Sequence, residues 1–225
     1  MKPFSLDTIS GPHEGQPVLT EGPSPDSAAG AIILLHGRGA GAQDIFSVGR
    51  IITERLQRRD ILLLAPHASR ATWYPYRFIE PEENNQPWLD SARAAVAYLI
   101  DHIVVDGGMD PRKVFLMGFS QGACLAADVA ATRGTPLGGI YLFSGGLIGP
   151  EGTDFAFSGD LDKTPVFVGC SDDDPHIPLE RVQETAATFR SLHADVDEQI
   201  YPGMGHTIIE DELTRVLRSL ETRIQ

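Results

Sequence analysis

The sequence predicts an α/β protein, a mostly parallel twisted sheet covered by helices on both faces. Two observations carry this expectation. From Ala31 onward, short apolar runs alternate with stretches whose apolar residues recur at helical spacing, and alternating β and α units build a parallel sheet that needs cover on both sides. One apolar run, Val114-Phe115-Leu116-Met117, passes through Gly118-Phe119-Ser120-Gln121-Gly122 into the small-residue segment Ala123-Cys124-Leu125-Ala126-Ala127. That is a strand-to-helix junction whose turn is too tight for side chains at its flanks. The length of 225 residues suits one domain, and such a domain buries roughly 70% of the surface its unfolded chain exposes.

Along the chain, residues 1–30 are rich in Gly, Pro and Ser and read as an irregular segment or short edge strands, ahead of a single domain over 31–225. Ala31-Ile32-Ile33-Leu34-Leu35 is the first buried strand. Ile45, Val48, Ile52 and Leu56 then mark one helix face, and Ile61-Leu62-Leu63-Leu64-Ala65 a second strand. A long connection over residues 66–89 follows, with Thr72-Trp73-Tyr74-Pro75-Tyr76-Arg77-Phe78 and both tryptophans of the chain. Loops of this length in a compact domain are functional or disordered, and aromatic richness argues against disorder. Trp73, Tyr74 and Trp88 are therefore expected either to wall a pocket over Ser120 or to pack a local core on the sheet. Leu89, Ala92, Val96, Leu99 and Ile103 mark the next helix, starting near Asp90. Beyond the Ser120 junction, Pro165-Val166-Phe167-Val168-Gly169-Cys170 and Gln199-Ile200-Tyr201 read as strands, and Ile209, Leu213, Val216, Leu217 and Leu220 as the face of the last helix. Thr207 and Glu210 have capping-box spacing, so that helix is expected to start at Thr207.

The Gly-x-Ser-x-Gly turn in this setting is a nucleophile elbow: it lifts one serine hydroxyl above the sheet edge at the positive end of the next helix. In the α/β-hydrolase fold that uses it, an acid and then a histidine follow the serine. Asp172, Asp173 and Asp174 sit at the carboxyl end of one strand, and His206 in the glycine-rich turn Gly203-Met204-Gly205-His206. The spacing alone does not separate the three acids. Of the seven histidines, His36 and His67 precede Ser120, and His176 shares the acids' short loop. His13, His102 and His193 are expected to be solvated. His206 is the expected base.

The segments Leu35-His36-Gly37-Arg38-Gly39, Gly118-Phe119-Ser120-Gln121-Gly122, Asp174-Pro175-His176-Ile177-Pro178 and Gly203-Met204-Gly205-His206 resemble the signatures of the carboxylesterase/phospholipase branch of the α/β-hydrolases, which includes the acyl-protein thioesterases. The resemblance runs from about Ala31 to the C-terminus and implies a Ser120, His206 and Asp174 triad, Asp174 falling in an Asp-Pro-x-Val-Pro stretch where Ile177 replaces valine. The oxyanion hole needs two backbone N–H donors. Gln121, after the nucleophile, is one; the resemblance makes Arg38 the other. Arginine there departs from the family's usual apolar residue and is shared with a His-Gly-Arg-Gly subgroup. Its side chain is expected to point to solvent, the alternative being a bidentate contact to a substrate carboxylate. The implied activity is serine hydrolysis of carboxylic esters or thioesters through an acyl-enzyme, on short to medium acyl groups. Lysophospholipase and acyl-protein thioesterase are its variants, and Ile177 joins the aromatic residues as a candidate substrate contact. A binding protein of this fold without activity is the reading of another class.

Other classes are disfavoured. Gly37-Arg38-Gly39-Ala40-Gly41-Ala42 matches a dinucleotide fingerprint, but the following strand ends in Pro66-His67 where a ribose-binding acid belongs. No cofactor is expected, and no metal, because the acid triplet lacks ligand spacing. The formal charge of −13, from 18 basic and 31 acidic residues, disfavours nucleic acid and anionic membranes as partners. Cys124 and Cys170 give no disulfide framework and are expected reduced and buried. With no apolar leader segment and no run long enough to span a bilayer, stable membrane insertion is not expected and the expected address is cytoplasmic. A homodimer is compatible with the sequence without being required by it.

Overall fold

The expected α/β architecture is present in the computed structural model, which describes residues 4–224; the outermost residues of the N-terminal segment and the C-terminal Gln225 lie outside the described part. A seven-stranded sheet has the order β1-β3-β2-β4-β5-β6-β7. Its strands are β1 (Val18–Glu21), β2 (Gly30–Leu35), β3 (Ile61–Pro66), β4 (Val114–Phe119), β5 (Gly139–Phe143), β6 (Pro165–Ser171) and β7 (Asp195–Tyr201). β1 runs antiparallel to β3, and every other pairing is parallel. β5 is a strand that the sequence pattern had not singled out.

Successive side chains of a strand point to opposite faces, and this alternation splits the core in two. On one face, Ile32 and Leu34 of β2 pack with Phe115, Met117, Tyr141, Phe143 and Phe167 beneath α1 (Ala42–Arg55) and α5 (Glu210–Arg223). On the other, Ile33 and Leu35 pack beneath α2 (Trp88–Asp101), α3 (Gln121–Arg133) and α4 (Leu179–Ser191). α3 is buried from Gln121 to Ala131, because alanines all round let it lie between the sheet and α2. No helix among the described residues is long and apolar enough to cross a membrane.

The register aligns the carboxyl ends of the central strands. Leu35 pairs with Gly118 and Phe119 with Phe143, while Gly169 pairs with Phe143 and Ser171 with Tyr201. The loops that follow β2, β4, β6 and β7 therefore meet at one edge, where parallel sheets place their ligands.

Several expectations are corrected. His13 is fully buried, because the N-terminal segment lays Leu6 and Ile9 on the core and brings the imidazole against the aromatic connection. His102 stacks on Tyr98 with its ring bonded to Asp106, and only 14% of its side chain is exposed; only His193, 71% exposed, is solvated as expected. α5 starts at Glu210 rather than Thr207: the buried Glu212 carboxylate takes the Ile209 N–H at 2.9 Å, which sets the first turn three residues later. Cys124 and Cys170 are buried and unpaired.

Candidate active site

Ser120 occupies the turn between β4 and α3 at φ 55°, ψ −122°, a conformation that costs a non-glycine residue about 1–3 kcal/mol. The surrounding packing holds it there. A Cβ on Gly118 would lie 2.4 Å from the Gly122 carbonyl carbon, and one on Gly122 would lie 2.1 Å from the Leu35 carbonyl oxygen. The first turn of α3 thus rests directly on β2 and β4, and the Ser120 N–H donates to the Phe143 carbonyl at 2.9 Å.

His206 reaches this serine from the loop between β7 and α5, with Nε2 2.8 Å from Ser120 Oγ and Nδ1 2.7 Å from Asp174 Oδ2. The Asp174 side chain has no exposed surface. Burial alone would push its carboxyl up, but the His206 ring and the amides of His176 and Ile177, which donate to Oδ1 at 2.8 and 3.1 Å, outweigh burial and hold it below its ordinary range. An ionised carboxylate only accepts, so Nδ1 carries the imidazole proton and Nε2 is left to accept the serine hydroxyl. The His206 loop is pinned from below: the Gly203 N–H donates to Asp172 at 2.9 Å and the Gly205 N–H to Ser171 Oγ at 3.1 Å. Asp173 accepts from the Ser171 hydroxyl. The two exposed acids of the triplet are thus fastened to loop groups, and only Asp174 meets the histidine.

A cleft of about 290 Å³ opens over Ser120, lined by Tyr74, Phe78, Phe119 and Ile177 and also by Arg38, Arg77 and His176. Beside it, the backbone N–H groups of Arg38 and Gln121 have no acceptor among the described residues. Arg38 is exposed, as expected, but its side chain is also engaged: the guanidinium donates to the carbonyls of Pro75 and Tyr76, so it ties the β2 turn to the aromatic connection. A larger hollow of about 580 Å³ lies between Glu21, Arg50 and Arg58 near β1 and α1 and touches none of these residues.

The aromatic connection divides between the two uses expected of it. Tyr74 and Ile177 line the cleft, whereas Trp73 and Trp88 are not among its lining residues. Trp73 is fully buried and its Nε1–H donates to the His36 carbonyl at 2.9 Å; Trp88 opens α2 and packs its ring edge-to-face with His13. The connection is fastened by groups the sequence did not disclose. Gln121 accepts the Trp73 N–H at 2.9 Å and donates to the Tyr74 carbonyl at 2.7 Å. His13 takes the Ser69 N–H on Nδ1 at 3.1 Å and donates from Nε2 to the Trp73 carbonyl at 2.9 Å, a neutral tautomer in keeping with burial, which lowers its pKa. Fully buried Asn85 accepts the Tyr76 N–H at 2.8 Å and donates to the Arg77 carbonyl at 3.2 Å. None of these contacts has a local sequence signal.

A family model described as phospholipase/carboxylesterase matches residues 20–224. A solved phospholipase/carboxylesterase from Dyadobacter fermentans is 36% identical, superposes with a TM-score of 0.85, and the match covers 97% of this chain and 100% of that one. Acyl-protein thioesterase 1 of Gibberella zeae is 35% identical over 114 residues, 50% of this chain and 48% of that protein. The protein of the same name from Kluyveromyces lactis is 31% identical over 124 residues, 54% of each chain. This chain spans about half the length of the curated relatives it matches.

Proposed function

The chain belongs to the phospholipase/carboxylesterase family, and from that premise we propose that it is a cofactor-independent serine hydrolase of carboxylic esters. The continuous hydrogen-bond chain from Ser120 through His206 to Asp174 at the floor of a cleft carries this reading. In it, Ser120 Oγ attacks the ester carbonyl while His206 Nε2 takes its proton. The Asp174 carboxylate holds the ring and stabilises the imidazolium. The Arg38 and Gln121 amides receive the oxyanion, a contribution worth about 3–4 kcal/mol for each donor. His206 then returns the proton to the leaving alcohol, and water resolves the acyl-enzyme by the same steps in reverse. The cleft of about 290 Å³ lies at the small end of ligand pockets, which supports short to medium acyl groups.

A thioester in place of the ester is the second reading, supported by the two relatives named acyl-protein thioesterase 1. The chemistry at Ser120 is the same for both, with a thiol as the leaving group. A catalytically silent binding protein is set against both by one experiment. Purified protein should be labelled by an active-site fluorophosphonate and should hydrolyse para-nitrophenyl butyrate, and Ser120→Ala should lose both, with kcat down by about 10⁴ to 10⁶. Near-normal turnover in that variant removes the assignment.

A further inference from the structure

We infer that the cleft over Ser120 is built for esters that carry an anionic group, with Arg77 as the residue that receives it; this deepens the ester-hydrolase reading and rests on it. The chain has 31 acidic residues for 18 basic ones, and its arginines divide between those that hold a carboxylate and those, Arg59, Arg70, Arg218 and Arg223 among them, that hold none among the described residues. Arg50, Arg58, Arg93 and Arg133 each hold one. Arg38 and Arg77, the two arginines of the cleft, pair with no carboxylate among the described residues. Arg38 spends two N–H groups on the Pro75 and Tyr76 carbonyls. Arg77 has a single long bond, to the His176 carbonyl at 3.3 Å, which leaves most of a guanidinium's five donors free.

Two further features make this more than a loose surface arginine. Among the described residues no Asp or Glu lines the cleft, so inside it the sign of the protein's charge is reversed. Asn85, fully buried, holds the backbone of Tyr76 and Arg77, so the segment presenting Arg77 is anchored from within the core. Arg77 is itself exposed, but apolar walls at Phe78, Phe119 and Ile177 would displace water from one side of a ligand bound beside it, which strengthens a charge-assisted contact. A planar fork of donors suits a carboxylate or phosphate oxygen pair. Such a group can sit on the acyl chain or on the leaving alcohol, and the two placements are separable by substrate.

The test compares kcat/KM for isosteric pairs: para-nitrophenyl hemisuccinate against para-nitrophenyl 4-methylpentanoate for the acyl side, and para-carboxyphenyl butyrate against para-isopropylphenyl butyrate for the alcohol side. In the wild-type protein at least one anionic ester should be favoured over its neutral partner. Arg77→Gln should lower that ratio about tenfold, the scale of a lost charge-assisted hydrogen bond, and Arg77→Glu should lower it further. The pair that responds identifies the side. A structural role for Arg77 would lower both members of a pair together, so unchanged ratios for both pairs in both variants overturn the inference while leaving the hydrolase reading standing. Wild-type protein that hydrolyses none of the four esters would remove the hydrolase reading itself.

Discussion

Replacing Trp73 by alanine separates the two uses of the aromatic connection. The side chain has no exposed surface and belongs to the core cluster that holds Leu35, Ala92 and Val96. Aromatic side chains bury about 150–250 Å², and deleting one from a packed core costs about 3–5 kcal/mol. The indole N–H donated to the His36 carbonyl adds roughly 1 kcal/mol when that oxygen loses its partner. At about 2–4 °C per kcal/mol for a chain of this size, the melting temperature should fall by roughly 8–24 °C. Trp73→Phe, which keeps most of the area and loses the hydrogen bond, should fall by less than half as much. Because Trp73 is not among the residues lining the cleft, neither variant should change the ratio of kcat/KM between acetyl and octanoyl para-nitrophenyl esters, since two substrates are discriminated only by a residue that one of them touches. Calorimetry and ester kinetics on the same preparations decide the matter. A ratio altered several-fold with the melting temperature nearly unmoved would refute the structural assignment and make Trp73 a pocket wall.

Two further predictions concern carboxylates. Asp174→Asn should lower kcat by about 10⁴, because a carboxamide favours the wrong imidazole tautomer; Asp172→Asn keeps an acceptor for the Gly203 N–H and should stay within about twofold, so equal losses at the two positions would contradict the proposed triad. Glu212, fully buried with Oε1 unpartnered, is pushed up to about 7 by burial, with the Ile209 amide opposing and Asp211 adding to the rise. With the folded pKa above the unfolded one, the native state binds more protons between the two values. The stability contributed by Glu212 is therefore full below about pH 4, falls as pH rises through about 7, and levels off beyond. Glu212→Gln should flatten that fall, worth about 2–4 kcal/mol, in thermal melts across about pH 5 to 8; an unchanged slope would mean Glu212 titrates like an exposed glutamate.

What the sequence determined by itself was whatever short-range patterning encodes. Buried strands appear as runs such as Ala31 to Leu35, helices as apolar residues at helical spacing, and the elbow as two glycines around Ser120 that backbone contact demands. Each of these is written within a few residues, and the order of elements then brings the loops after β2, β4, β6 and β7 to one sheet edge. Which side chains meet at that edge was a matter for the tertiary structure. Three consecutive acids carry no periodicity, so the local spacing left them equivalent until the turn after β6 aimed Asp174 at His206 and Asp172 at the Gly203 amide. Arg38 found the carbonyls of Pro75 and Tyr76, and His13 the backbone of Ser69 and Trp73. The misplaced start of α5 has the same origin, since Thr207 offered a cap by spacing but Glu212 won it by being buried against Gly169. A polar side chain is partnered by whatever group the fold leaves unsatisfied beside it, and that neighbour is chosen by chain packing across tens of residues, which no local pattern records.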